Sequence, residues 1–202
     1  RWSDVLAANS ALDPWRNVPE AEKITWEGSI YGSHKADLAF DHEFQTSDGG
    51  FHSGGNDLGK ALTVDYGRAY KLDKLEYYPR TDAGNGTVTK MRIETSLDGV
   101  HWTSQEVDWE RSAARKTVTF DGAVAARYVR MTSHASVGNF FSASEIAIYK
   151  ADGTDGFAVG SNLNKATISD GDFSNMKNYL GLENREPDTS TFDSQIRDHF
   201  AD

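Results

Sequence analysis

From Ala61 to Lys150 the chain alternates apolar and polar residues in short blocks, each closed by turn residues. Ala61-Leu62-Thr63-Val64-Asp65-Tyr66 alternates and ends at Gly67. Val88-Thr89-Lys90-Met91-Arg92-Ile93-Glu94-Thr95 follows, with Val88, Met91, Ile93 and Thr95 the predicted buried set and one register break near Thr89, at a bulge. Asp98-Gly99 then marks a hairpin-type turn. Lys116-Thr117-Val118-Thr119-Phe120 is a further strand closed by Asp121-Gly122. Arg127 to Thr132 and Glu145 to Tyr149 complete the set. Strands at this spacing, with few helical stretches between them, predict an antiparallel sandwich with one wet and one core face per sheet.

After Lys150 the period changes. Residues 151–161 read as a linker. Phe173, Met176 and Leu180 then recur at helical spacing, and so do Phe192, Ile196 and Phe200. The expectation is a short C-terminal helical hairpin over residues 162–202, too small to be stable alone. Residues 1–20 read as an extension or linker, partly helical, broken at Pro14 and Pro19.

Composition narrows the function. Of 202 residues 38% are hydrophobic and 11% aromatic, too rich for disorder. Lys and Arg number 21 and Asp and Glu 31, a formal charge of −10, which repels phosphate backbones and speaks against a general nucleic-acid binder. There is no cysteine, hence no disulfide, thiolate metal site or thiol nucleophile. Arg1-Trp2-Ser3-Asp4 lacks the layout of a signal peptide, so the expectation is a mature fragment of a longer chain. The acidic residues fall mostly in turns or exposed strand positions, with no pair standing out for glycoside hydrolysis. Gly54 to Lys60 has phosphate-loop spacing, but Ala61 replaces the magnesium-holding hydroxyl and a strand follows. No Gly-x-Ser-x-Gly elbow occurs.

Phe40-Asp41-His42-Glu43-Phe44-Gln45-Thr46, Phe51-His52-Ser53, Leu62 to Gly67 and Tyr78-Pro79-Arg80 come in the order of a discoidin-type (coagulation factor C-type) domain. Ser96 to Trp102, Ala126 to Arg130 and Ala143 to Ile146 agree. Over residues 24–150 the chain resembles that superfamily, and within it is most similar to the family 32 carbohydrate-binding modules of bacterial glycan-degrading enzymes. The resemblance implies a mainly β, galactose-binding-like jelly-roll β-sandwich over residues 21–150, with one structural calcium and a sugar site in loops at one end. It implies a non-catalytic module of a secreted, extracellular or cell-surface bacterial enzyme. The alternative is a discoidin-type adhesion domain for protein or lipid surfaces, although a charge of −10 disfavours anionic lipid.

The metal has two readings on spacing alone. Asp41, Glu43 and Thr46 lie close together in a segment without strand pattern, where a loop can turn several oxygens inward toward calcium. Equally, Asp41 caps a turn and Glu145 is an exposed strand residue. The resemblance assigns Asp41, Glu43, Thr46 and Glu145 to the ion, with the Leu38 carbonyl added. The histidines show no paired zinc spacing.

Four loops at strand ends carry sugar-binding chemistry: Gly49 to Gly55 with Phe51 and His52, Arg80, Asn85 between two glycines, and Gly138-Asn139-Phe140-Phe141. An aromatic face suits the apolar side of a pyranose, and planar donors suit vicinal hydroxyls. On residues alone, His52 could be a solvated loop histidine and Arg80 a partner for Asp82. Phe140 and Phe141 cannot both be core on an extended chain, and Phe141 is the expected inward one. The resemblance gives His52, Arg80, Asn85 and Phe140 to galactose or N-acetylgalactosamine; Phe51 is placed with them as a ligand contact, the alternative being that it packs inward, and Tyr31 with Trp26 from the first loop adds a second wall. Trp102 is expected in the core or across the sandwich edge.

Asn162 to Leu180 is similar to the first half of a dockerin, with a short loop and Ala166 where an acidic ligand belongs. This resemblance implies a cohesin-like partner and weak or absent calcium binding there.

Overall fold

The computed structural model describes residues 15, 17–43 and 50–151. The helical hairpin, the dockerin-like segment with its cohesin-like partner, most of the N-terminal extension and Thr46 lie outside the described residues. Within them are eight strands: β1 (Lys23–Trp26), β2 (Phe51–His52), β3 (Ala61–Tyr78), β4 (Val88–Ser96), β5 (Thr103–Asp108), β6 (Lys116–Ser136), β7 (Ser142–Ala143) and β8 (Glu145–Lys150). Short 3-10 turns cover Ala36–Phe40 and Val137–Asn139.

Two long strands build the sandwich. The first part of β3 pairs with β1 and with Tyr128–Thr132 of β6. Its second part pairs with Lys116–Thr119 of β6 on one side and with β8 on the other. Beyond its pairing with β3, β6 runs beside β4, which carries β5 at its edge. The pairs are antiparallel throughout, and β2 and β7 form a separate two-stranded ribbon.

Both long strands correct the sequence reading. Gly67 does not end a strand. It takes φ 73 and, with the register shift between Asp65 and Tyr70, makes an irregularity inside β3. Asp121-Gly122 likewise closes nothing. Gly122 (φ 68) and Ala123 (φ 53) sit where the register jumps from Leu72–Val124 to Lys74–Thr119, so β6 continues. A left-handed residue serves a bulge as well as a hairpin, and only the distant partner strand separates the two. The break expected near Thr89 is present between Val88 and Met91.

Alternation places the core. Val88, Met91, Ile93 and Thr95 are all buried, and the first three share a core cluster with Leu62, Val64, Leu75, Val129, Met131, Ile146 and Ile148. Trp102 does not join the core, the first of its two expected places. It is half-buried outside the core, with the Arg130 guanidinium 3.9 Å from its ring centre. Arg130 also donates to Glu94 Oε2 at 2.6 Å, and Arg127 grips Asp65 through Nε and Nη2.

Glu94 yields a pH prediction. The Arg130 guanidinium holds its carboxyl below the ordinary range. A depressed folded-state pKa adds stability above the unfolded value of about 4.3, and that stability is lost as pH falls through the folded value. Glu94→Gln should cost roughly 1–2 kcal/mol at neutral pH and flatten the acid limb of the stability profile. Denaturant melts across pH check this; parallel acid limbs for both proteins would contradict it.

Candidate functional site

The loops at one end of the sandwich are tied together by their own backbone. Ser53 N–H donates to the Phe141 carbonyl, and Phe141 N–H returns to Ser53 Oγ, both at 2.8 Å. Gly86 N–H reaches the Val137 carbonyl and Ser142 N–H the Gly86 carbonyl. Asp57 N–H donates to the Asn139 carbonyl. The Asp57 side chain is almost wholly buried and takes bonds from Lys60 Nζ and Gly55 N–H. Burial pushes its pKa upward, but these donors outweigh it and the net direction is down. The run Gly54 to Lys60 is therefore a brace that leads into β3, not a phosphate loop.

Tyr77 fastens the end from below. Its ring is fully buried and stacks on Trp109, centroids 5.5 Å apart. Its hydroxyl donates to the Ser142 carbonyl at 2.7 Å and accepts Val88 N–H at 3.1 Å, so one phenol holds the strands flanking two of the loops.

Strand alternation then sorts the aromatic residues. Phe51 and Phe141 point inward, are essentially unexposed, and meet edge to face with Trp26. This corrects the sequence reading of Phe51 as a ligand contact: no surface of its ring is available, and it supports the site from within. His52 and Phe140 are the partly exposed neighbours, with ring centroids 5.3 Å apart. His52 Nδ1 lies 2.7 Å from the Ser53 carbonyl. A carbonyl only accepts, so Nδ1 carries the proton and Nε2 of the neutral ring is left as an acceptor.

Asn85 is exposed in the neighbouring loop. Gly138 (φ 68) keeps the space between it and Phe140 clear. A Cβ on Gly138 would stand 3.0 Å from the Phe140 ring and 3.1 Å from Asn85 Oδ1. Arg80 begins the same loop. Its Nε and Nη2 bind Asp82 at 3.1 and 2.8 Å, and Nη1 has no partner among the described residues. The guanidinium is thus held in place with one amino group to spare, while it keeps the Asp82 carboxyl below its ordinary range. Arg111 braces the loop through the Ala83 carbonyl. Tyr31 is 61% exposed, and its ring lies 5.6 Å from that of His52. His34, missed in the sequence, stacks on Tyr31. Its signal was the Gly-Ser step between the two, which closes a turn with His34 N–H on the Tyr31 carbonyl.

A second feature involves Asp41 and Glu145. Glu145 opens β8, is 1% exposed, and its Oε2 is buried without a hydrogen-bond partner. Burial first, and the adjacent Asp41 carboxylate second, push its pKa up to about 8. Glu145 is therefore not the exposed strand residue of the simpler reading. His42 takes φ 68, uncommon for a side chain of its size, and turns the chain just after Asp41. An orphaned carboxylate oxygen facing a second carboxylate fits a hard cation. Among the described residues no three His, Cys, Asp or Glu side chains cluster, so such an ion would draw its other oxygens from backbone carbonyls. Leu38 lies one turn before Asp41, and Glu43 two residues after it.

Residues 23–146 match the model of the F5/8 type C domain. The chain belongs to that family. Among solved structures, this F5/8 type C domain is similar to CBM32-1 from a family 31 glycoside hydrolase of Clostridium perfringens, with 32% identity, TM-score 0.63, and 68% of this chain and 100% of that one covered. It is also similar to the family 32 CBM of Clostridium perfringens NanJ in complex with galactose, at 29% identity, TM-score 0.57 and coverage of 66% and 98%. CBM32-5 of CpGH89 from the same organism, in complex with GalNAc-β-1,3-galactose, aligns at 28% identity, TM-score 0.56 and coverage of 63% and 94%. The fold is the galactose-binding-like β-sandwich, and the domain is a non-catalytic module of the carbohydrate-binding kind.

Proposed function

We propose that this F5/8 type C domain captures terminal galactose or N-acetylgalactosamine and holds a parent bacterial glycan-degrading enzyme, outside the cell or at its surface, against its substrate. The observation that carries the reading is His52. Its ring is oriented by the Ser53 carbonyl, sits beside Phe140, and keeps Nε2 as a directed acceptor. An axial 4-hydroxyl donates to Nε2, Arg80 Nη1 donates to the 3-hydroxyl with Asn85 beside it, and Phe140 covers the apolar face. The galactose and GalNAc-β-1,3-galactose complexes of two related modules support this choice of sugar. Three or four hydrogen bonds and one stacked ring in a shallow site give weak binding, which suits a module acting through avidity.

The same reading places Ca2+ against Asp41 and Glu145, with the carbonyls of Leu38 and Glu43 and the oxygens of Thr46 completing the shell. The ion would satisfy the orphaned Glu145 oxygen and tie the Asp41 turn to β8, which comes after the Phe140 loop and β7.

Calorimetric titration should give measurable affinity for galactose and N-acetylgalactosamine and little for glucose, whose equatorial 4-hydroxyl points away from His52. Arg80→Ala should cost about tenfold to hundredfold, the loss of a charge-assisted bond worth roughly 1.5–3 kcal/mol. Equal binding of the three sugars, or an unaltered Arg80→Ala protein, would refute the assignment.

Added calcium should raise the melting temperature, because it binds the folded loop and not the unfolded chain. Asp41→Ala should remove that rise. Melting curves that coincide with and without chelator would exclude the ion.

A further inference from the structure

We infer that Tyr31, expected from the sequence beside the terminal sugar, instead forms with His34 a second subsite, which takes the sugar next to the terminal one, so that the domain reads a disaccharide end. The inference rests on the galacto-site reading above and extends it.

Tyr31 is a large ring, 61% exposed, and stands outside the hydrophobic core. Such exposure usually belongs to a loose loop, but this loop is pinned on both sides of His52. Tyr31 N–H donates to the His52 carbonyl at 2.9 Å, and His52 N–H donates to the His34 carbonyl at 3.2 Å. Ile30 bridges Ser53, and Gly54 N–H reaches the Ser29 carbonyl. The backbone that carries the Tyr31 ring is therefore held in register with His52.

The rings gather around His52. Phe140 and Tyr31 lie 5.3 and 5.6 Å from His52, at similar tilts of 51° and 54°. No ring contact joins Phe140 to Tyr31 among the described residues, so His52 is their shared neighbour. His34 packs against Tyr31 and His52, stacked on the first at 5.9 Å and 21° and edge-on to the second at 6.5 Å. A sugar held by His52 and Phe140 thus has a second aromatic surface near it, the exposed Tyr31 ring. The loop tip itself is uncrowded: a Cβ on Gly32, next to Tyr31, would meet nothing within 4 Å.

The polar chemistry matches a second pyranose. His34 Nδ1 lies 3.1 Å from the Gly50 carbonyl, which fixes its proton on that nitrogen and leaves Nε2 as an acceptor for a hydroxyl. The Tyr31 ring supplies an apolar surface for ring C–H groups, and its phenol can donate or accept. The ligand class is a neutral, galacto-terminated disaccharide or the end of a longer glycan.

The test compares N-acetylgalactosamine with GalNAc-β-1,3-galactose and lactose on the wild-type domain, Tyr31→Ala and Tyr31→Phe. Wild type should bind at least one disaccharide about tenfold more tightly than the monosaccharide. Tyr31→Ala should lose that gain and hold N-acetylgalactosamine within about twofold, while Tyr31→Phe keeps most of the gain. Retained monosaccharide affinity shows at the same time that the variant is folded. Wild type binding the monosaccharide but neither disaccharide more tightly overturns the second subsite and leaves the galacto site standing. Tyr31→Ala weakening all three sugars equally also overturns it, because Tyr31 would then belong to the terminal site. Failure of wild type to bind any of the three overturns both readings.

Discussion

The loop end hangs from one contact, the edge-to-face meeting of Phe51 and Phe141 at 5.4 Å beneath it. Such a pair adds about 0.5–1.5 kcal/mol beyond the area it buries, but its larger effect is geometric. Each phenylalanine directs its chain neighbour the other way, because successive side chains of an extended segment leave on opposite faces. Burying Phe51 turns His52 outward, and burying Phe141 turns Phe140 outward. The β2–β7 pairing and the reciprocal Ser53–Phe141 bonds hold the two segments in register. Two side chains from distant parts of the chain are thereby placed a ring's width apart without help from a ligand.

Around that contact, the polar groups are oriented by partners that cannot take the ligand's place. The Ser53 and Gly50 carbonyls hold the Nδ1 protons of His52 and His34. Asp82 holds two of the three nitrogens of Arg80. Tyr77 anchors the flanking strands from inside the core. Little side-chain freedom remains to be lost on binding, which matters most where few contacts are made. The Asp41–Glu145 pair lies at the start of β8, three residues past Ser142.

Much of this was legible in the residues, and what was not has a physical cause. The inward set of β4 followed from alternation, and so did the choice of Phe141 over Phe140 for the core. Phe51 was misread because a two-residue strand is too short to show a period. Its burial is decided by Trp26 and Phe141, far away in sequence. Gly67 and Asp121-Gly122 carry turn chemistry that a bulge uses equally well. The pairing of Glu145 with Asp41 could be stated only through the resemblance to the discoidin-type family, since nothing local marks Glu145 as buried. His34 escaped notice because its role comes from ring contacts with Tyr31 and His52 and not from a motif.

In the proposed function, the inward phenylalanines present His52 and Phe140 as a ready-made seat for one galacto-configured ring. A crystal structure of the domain with galactose bound tests it most directly. The account predicts the pyranose lying on Phe140, its axial hydroxyl on His52 Nε2 and a vicinal hydroxyl on Arg80 Nη1, with Phe51 and Phe141 unmoved. Sugar density at another surface, or at this one with His52 turned away from the Ser53 carbonyl, would contradict it.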